Sequence, residues 1–132
     1  MSLYSPSEII GVAGKTAIEK AGYSTKKILT LSFMAGAYIA FGGILAILVG
    51  GGVPGVAKEN PGIAKFLFGA TFPVGLMMVV MAGAELFTGN NAYFMPNVLS
   101  KKQSWAAPLR NWTLVYIGNF IGSVFVAFFL VH

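Results

Sequence analysis

Side chains able to hold charge or shuttle hydrogen bonds crowd into one short stretch. Glu85, Thr88, Asn90 and Asn91 lie in Gly83-Ala-Glu-Leu-Phe-Thr-Gly-Asn-Asn-Ala-Tyr-Phe-Met-Pro-Asn97. A carboxylate accepts hydrogen bonds or balances a cation, a hydroxyl donates and accepts, and each carboxamide does both. Such a set can brace irregular backbone or offer polar contacts to a small ion. Catalysis is a poorer reading: with four acids, His132 as the single histidine and no cysteine, no nucleophile, base and orienting group can be assembled. No metal site and no cofactor is implied, and His132 reads as an incidental terminal residue. The stretch follows Phe66 to Ala84, a run without a single charge. A carboxylate at the end of such a run is expensive in lipid and is a functional candidate by default. Glu85 is expected to brace the loop around it by accepting backbone N–H groups.

The elements that must position these residues follow from composition. The chain has 132 residues, 56% hydrophobic and only 10% charged, with mean hydropathy +0.75. A soluble domain of this size carries far more charge, so the bilayer is the expected solvent. A membrane-spanning helix needs about 20 mostly apolar residues, and three runs supply them: Leu29–Val49, Phe66–Ala84 and Trp112–Val131. None shows strand alternation. The fold class is therefore an all-α membrane protein with three transmembrane helices. Residues 1–28 divide off as an N-terminal helix at the membrane surface, and 29–132 as the membrane domain. No cleavable signal sequence is evident.

Charge gives the orientation. Of nine Lys and Arg residues, Lys15, Lys20, Lys26 and Lys27 precede the first run and Lys101, Lys102 and Arg110 lie between the second and third, while only Lys58 and Lys65 flank the other side. This is the positive-inside bias, which places the amino terminus in the cytoplasm. The net charge of +5 is thus a topology signal, and nucleic acid is not an expected partner.

Local signals refine the elements. Ser5 and Glu8 have capping-box spacing, Pro6 fits a first helical position, and Tyr4 with Ile9 could staple the helix start. Ile9, Ala13 and Ala17 share a face, and Gly22 is a stop. Gly36, Ala40, Gly42 and Gly43 permit close helix contact in the first span, as do Gly118 and Gly122, with Asn119 between them, in the third. Gly50 to Gly62 reads as turn chemistry throughout, and Trp105 and Trp112 suit the water–lipid boundary. The chain stops one residue beyond the third run, which reads as a fragment of a longer protein.

The second run is the unusual one. Its 19 residues would cross unaided at about 28 Å of helix. Yet Gly83 to Asn91 contains poor helix continuers that favour an ordered loop. Ala92–Leu99 then turns apolar again, too short to span, with Pro96 at a plausible helix start. A helix, a polar break and a half-helix describe a discontinuous membrane segment. Irregular backbone persists at membrane depth only where protein buries it or where it lines an aqueous cavity. On this reading Glu85, Asn90 and Asn91 support the break.

Gly83-Ala-Glu-Leu-Phe-Thr88, preceded by Phe72-Pro-Val-Gly-Leu76 and followed by Asn111-Trp-Thr-Leu-Val-Tyr-Ile-Gly-Asn119, resembles the formate/nitrite transporter family of bacterial membranes. The resemblance spans nearly the whole chain but only the first half of the family's pattern, and the chain is similar also to the hydrosulfide-channel branch. The resemblance implies one of two inverted three-helix repeats of a six-helix, aquaporin-like channel, assembled as a homopentamer in the bacterial inner membrane. It implies a selective passive or proton-coupled pathway for hydrosulfide, formate or nitrite. Carried over by position, Phe72 matches an outer constriction, Leu76 and Leu86 match an inner one, and Thr88 matches a threonine that hydrogen-bonds a central histidine. That histidine and a lysine near the pore belong to the second half, the expected partner. Two other readings compete: a three-helix anchor or accessory subunit of a larger complex, and an aquaporin-like pathway for neutral solutes. The first lacks intramembrane histidines for haem, and the second lacks paired Asn-Pro-Ala motifs.

Overall fold

The computed structural model describes residues 4–131; the expectation for His132 lies outside them. The described residues are helical with short connections and contain no strand. Helix α1 (Pro6–Ala21) is started by Ser5, whose hydroxyl accepts from the Glu8 N–H at 3.4 Å while the Glu8 carboxylate accepts from the Ser5 N–H at 2.7 Å. The reciprocal cap satisfies two orphan donors. It holds the Glu8 carboxyl below its ordinary range, chiefly through the Ser5 N–H and then through the Ser5 hydroxyl. The helix stops at Gly22, as its sequence indicates. Of the residues expected to share a face, Ala17 is buried and Ile9 is not. Gly14 is covered with Ala17, because α1 docks on a later helix through its smallest residues.

Helix α2 (Thr25–Gly51) and helix α7 (Ala106–Val131) extend the first and third apolar runs at their polar ends. They run parallel and very close. Gly118 leaves no room for a side chain against Ser32, Gly122 none against Phe33, and Gly36 none against the backbone of Asn119. Small residues thus let two backbones approach where lipid provides no hydrophobic drive to associate. Phe33 packs edge-on against Phe125 with ring centroids 5.4 Å apart.

Between them the chain forms α3 (Pro54–Glu59), α4 (Pro61–Thr71) and α5 (Pro73–Met81). The Gly- and Pro-rich connection is therefore not turn throughout; Pro54 occupies the first helical turn of α3, where its missing N–H costs nothing. α4 and α5 together make a 21-residue segment long and apolar enough to span. They are jointed at Phe72, which keeps helical angles (φ −53°, ψ −40°), ahead of Pro73, which removes one N–H from the ladder. α5 presses on α2: a Cβ on Gly42 would sit 2.7 Å from the Gly75 nitrogen, and one on Gly75 would sit 2.8 Å from the Tyr38 oxygen. Three helical segments, Thr25–Gly51, Pro61–Met81 and Ala106–Leu130, have membrane-spanning length and hydropathy, and the chain is an all-α membrane protein.

The break follows Met81, not Ala84. Gly83 adopts a left-handed angle (φ 60°), which glycine alone takes without strain. Helix α6 (Phe87–Leu99) then resumes, so the irregular segment is only Ala82–Leu86. Gly89, Asn90 and Asn91, expected in a loop, are helical, and Pro96 lies inside α6 near its end instead of starting it. α6 has 13 residues, about 20 Å of helix, too short to cross. α1 lies against it, with Asn97 Nδ2 donating to the Gly14 carbonyl at 2.8 Å.

Candidate functional site

The Ala82–Leu86 segment is held from three sides. After Gly83 reverses the chain, the Ala84 N–H returns to the Val79 carbonyl at 3.0 Å, and the Glu85 N–H donates to the Leu31 carbonyl of α2 at 3.2 Å. Asn119 of α7 does the rest. Its Nδ2 donates to the Glu85 carbonyl at 2.9 Å and to the Ser32 carbonyl at 2.8 Å, and its Oδ1 accepts the Phe87 N–H at 3.0 Å. Phe87 is the first residue of α6, so its N–H has no helical partner, and Asn119 caps it from another helix. Asn119, flanked by the packing residues Gly118 and Gly122, is thus the principal tie of the break as well as a packing residue.

A second network sits beside the first. The Glu85 carboxylate, 1% exposed, pairs with Lys20 of α1 and accepts from Asn90 Nδ2 at 2.7 Å. Asn90 gives its second amide hydrogen to Asn111 Oδ1 of α7, also at 2.7 Å. The Glu85 carboxylate is bonded by side chains of α1 and α6 in place of the loop N–H groups expected to bind it. The reason is geometric: the loop N–H groups are already taken by Val79, Leu31 and Asn119. Asn91 adds nothing comparable, since its Oδ1 is buried without a hydrogen-bond partner among the described residues.

Leu76 and Leu86 come together. Both line a cavity of about 400 Å³ whose other walls include Val79, Glu85, Asn90 and Tyr93, with Lys20 at its edge. The Lys20 ammonium lies 5.5 Å from the Tyr93 ring centroid, within cation–π range. Phe72 is half-exposed one turn before Leu76 and lies outside this cavity. Thr88 is exposed in the first turn of α6. Beyond Leu76, α5 carries a bare apolar face of Met77, Val80 and Met81.

Depth along the helices can be read from register. Leu31 and Ser32 lie in the first turn of the apolar run that opens at Leu29, and Asn119 lies seven residues into the run that opens at Trp112. At 1.5 Å per residue the break is tied roughly 3–10 Å past the start of the apolar runs of its two neighbours.

Sequence reasoning did not assign Lys20, Asn111 or Asn97 to this site. Lys20 counted only toward orientation, although it falls one turn after Ala17 and about two after Gly14 on α1 and so on the side facing α6. Asn111 stood in a quoted motif without a role. Arg110, also counted for orientation, reaches the Tyr23 carbonyl at 3.3 Å and Thr25 Oγ1 at 3.0 Å, tying α7 to the α1–α2 turn. Among the described residues no group of His, Asp or Glu could hold a metal ion.

The formate/nitrite transporter profile matches residues 7–132. A probable formate transporter of Methanothermobacter thermautotrophicus is 46% identical over 98% of this chain and 47% of its own length. A formate channel of Bacillus thuringiensis is 35% identical over all of this chain and 50% of its own. A nitrite transporter of Salmonella typhimurium is 38% identical over 73% of this chain and 34% of its own. The chain therefore spans about half the length, or less, of the relatives it matches. By the extent of that match, a broken apolar span included, this chain belongs to the formate/nitrite transporter family.

Proposed function

We propose that the chain forms one half of a selective pathway for small monovalent anions, with formate and nitrite, the anions its relatives are named for, ahead of hydrosulfide. The observation that carries this reading is the break itself. Five irregular residues are hydrogen-bonded to α2 and α7 inside their apolar runs and put Leu86 beside Leu76 on one cavity. Irregular backbone is tolerated at membrane depth only where protein buries it or where it lines a cavity, and the side chain of Leu86 is on the cavity.

In this reading Leu76 and Leu86 form an apolar constriction, with Phe72, four residues before Leu76 on the same span, as a second one. Apolar rings exclude hydrated cations and permit gating by dewetting. An anion crossing them sheds water, and the cost of an unpaired charge in low dielectric falls if the anion is carried as its neutral acid. Thr88, exposed at the start of α6, hydrogen-bonds a partner from the second half of the protein. The bare face of Met77, Val80 and Met81 is where that half packs. The two halves form an inverted repeat, the whole assembles as a pentamer in the bacterial inner membrane, and the amino terminus is cytoplasmic as the lysine distribution requires.

The test is flux through the full-length protein in liposomes, with formate, nitrite and hydrosulfide offered separately. Uptake of at least one, without potassium leak, is expected. Protein that is inserted and folded yet conducts none of the three would overturn the reading.

A further inference from the structure

We infer that Asn119 is a specificity-determining positioning residue: its single carboxamide fixes the backbone on both sides of Leu86 and so sets how far that side chain enters the path. This inference rests on the reading of Leu86 as a constriction. The two bonds that matter bracket one residue. Nδ2 holds the carbonyl of Glu85, immediately before Leu86, and Oδ1 holds the N–H of Phe87, immediately after it. Leu86 itself is extended (φ −104°, ψ 128°), and its own side chain does not cap the helix start.

The carboxamide is in turn rigidly placed. Its second Nδ2 hydrogen goes to the Ser32 carbonyl of α2, and the Asn119 backbone lies where a side chain on Gly36 would be. The Asn119 carbonyl accepts from Ser123 Oγ at 2.8 Å, and the same hydroxyl also bonds the Gly36 carbonyl at 3.1 Å. The close α2–α7 contact therefore acts as a fixed mount, and Asn119 transfers that rigidity to Leu86. Asparagine is suited to the task because it supplies an acceptor and two donors from one short side chain. Aspartate would offer no donor to the Glu85 and Ser32 carbonyls, and serine cannot reach all three partners.

The experiment compares acetate with formate flux in liposomes for the full-length wild-type protein, Leu86→Ala, Asn119→Ser, Asn119→Asp and the double variant Leu86→Ala/Asn119→Ser. Leu86→Ala should raise the acetate-to-formate ratio by about tenfold, the low end for changing the fit of an apolar site to one added methyl group. Asn119→Ser should raise it by a similar factor with Leu86 intact, and the double variant should be no more permissive than Leu86→Ala alone. A purely structural role lowers both fluxes together and leaves the ratio unchanged; that result would overturn the inference. If Asn119→Ser does not fold, the same criterion applies to Asn119→Asp, which preserves size and the acceptor for Phe87. An unchanged ratio in Leu86→Ala would instead strike at the constriction reading itself.

Discussion

Lys20 and Glu85 are separated by 65 positions, yet they form an ion pair that is 12% exposed on the lysine side and 1% on the carboxylate side. Breaking a buried pair strands a charge, whereas replacing both partners removes the cost. Lys20→Met should therefore lower the unfolding free energy of the full-length protein in detergent by about 3 kcal/mol, and Lys20→Met/Glu85→Gln should recover most of it. Equal losses in the single and double variants would show that the pair does not hold α1 to the break. A second residue-scale effect lies outside the apolar runs. Tyr23 donates to the Glu19 carboxylate at 2.6 Å, and this bond, with burial behind it, pushes the phenol up to about 12. The folded state thus favours the protonated phenol. Its stabilisation is fully present below the ordinary phenol pKa of about 10 and is lost as pH rises from there toward about 12. Thermal midpoints of wild type should fall across that window, and Tyr23→Phe should flatten this part of the decline.

At the scale of elements, α5 is pressed on α2 through Gly42 and Gly75, while Gly69 on α4 has open space around it. Gly75→Val should cost about 2 kcal/mol through overpacking, measured by thermal unfolding in detergent, and Gly69→Ala should change stability little. Comparable losses at both positions would mean that close approach to α2 is not what sets the cost at Gly75. The same contrast explains what was legible in the sequence. Hydropathy over twenty residues and the Ser5–Glu8 cap are local properties, and they gave three spans and the start of α1. The bounds of the break were not local. Gly89, Asn90 and Asn91 are poor helix formers, but they are helical because Asn119, 32 positions away, caps Phe87, and because Glu85 and Asn111 anchor Asn90. Tertiary partners overrode propensity there. They likewise moved Pro96 from an expected helix start to a position inside α6, and diverted Glu85 from loop N–H groups to Lys20. Composition did flag the stretch that holds the break: Glu85 and Asn90 lie at it or within one turn of it, while Leu86 was singled out by the resemblance alone.

For the whole molecule, this chain supplies three spans, one cavity edge carrying Leu76 and Leu86, and a bare face on α5. The central claim is that Leu86 borders the path of the anion. Because this chain contains no cysteine, Leu86→Cys can be read cleanly once any cysteines elsewhere in the full-length protein are replaced. The most direct measurement is formate flux through that full-length variant in liposomes, before and after a small charged thiol reagent, with and without excess formate. The account predicts that modification blocks flux and that formate slows modification. A thiol at position 86 that reacts at the same rate regardless of formate, and whose modification leaves flux intact, would contradict it.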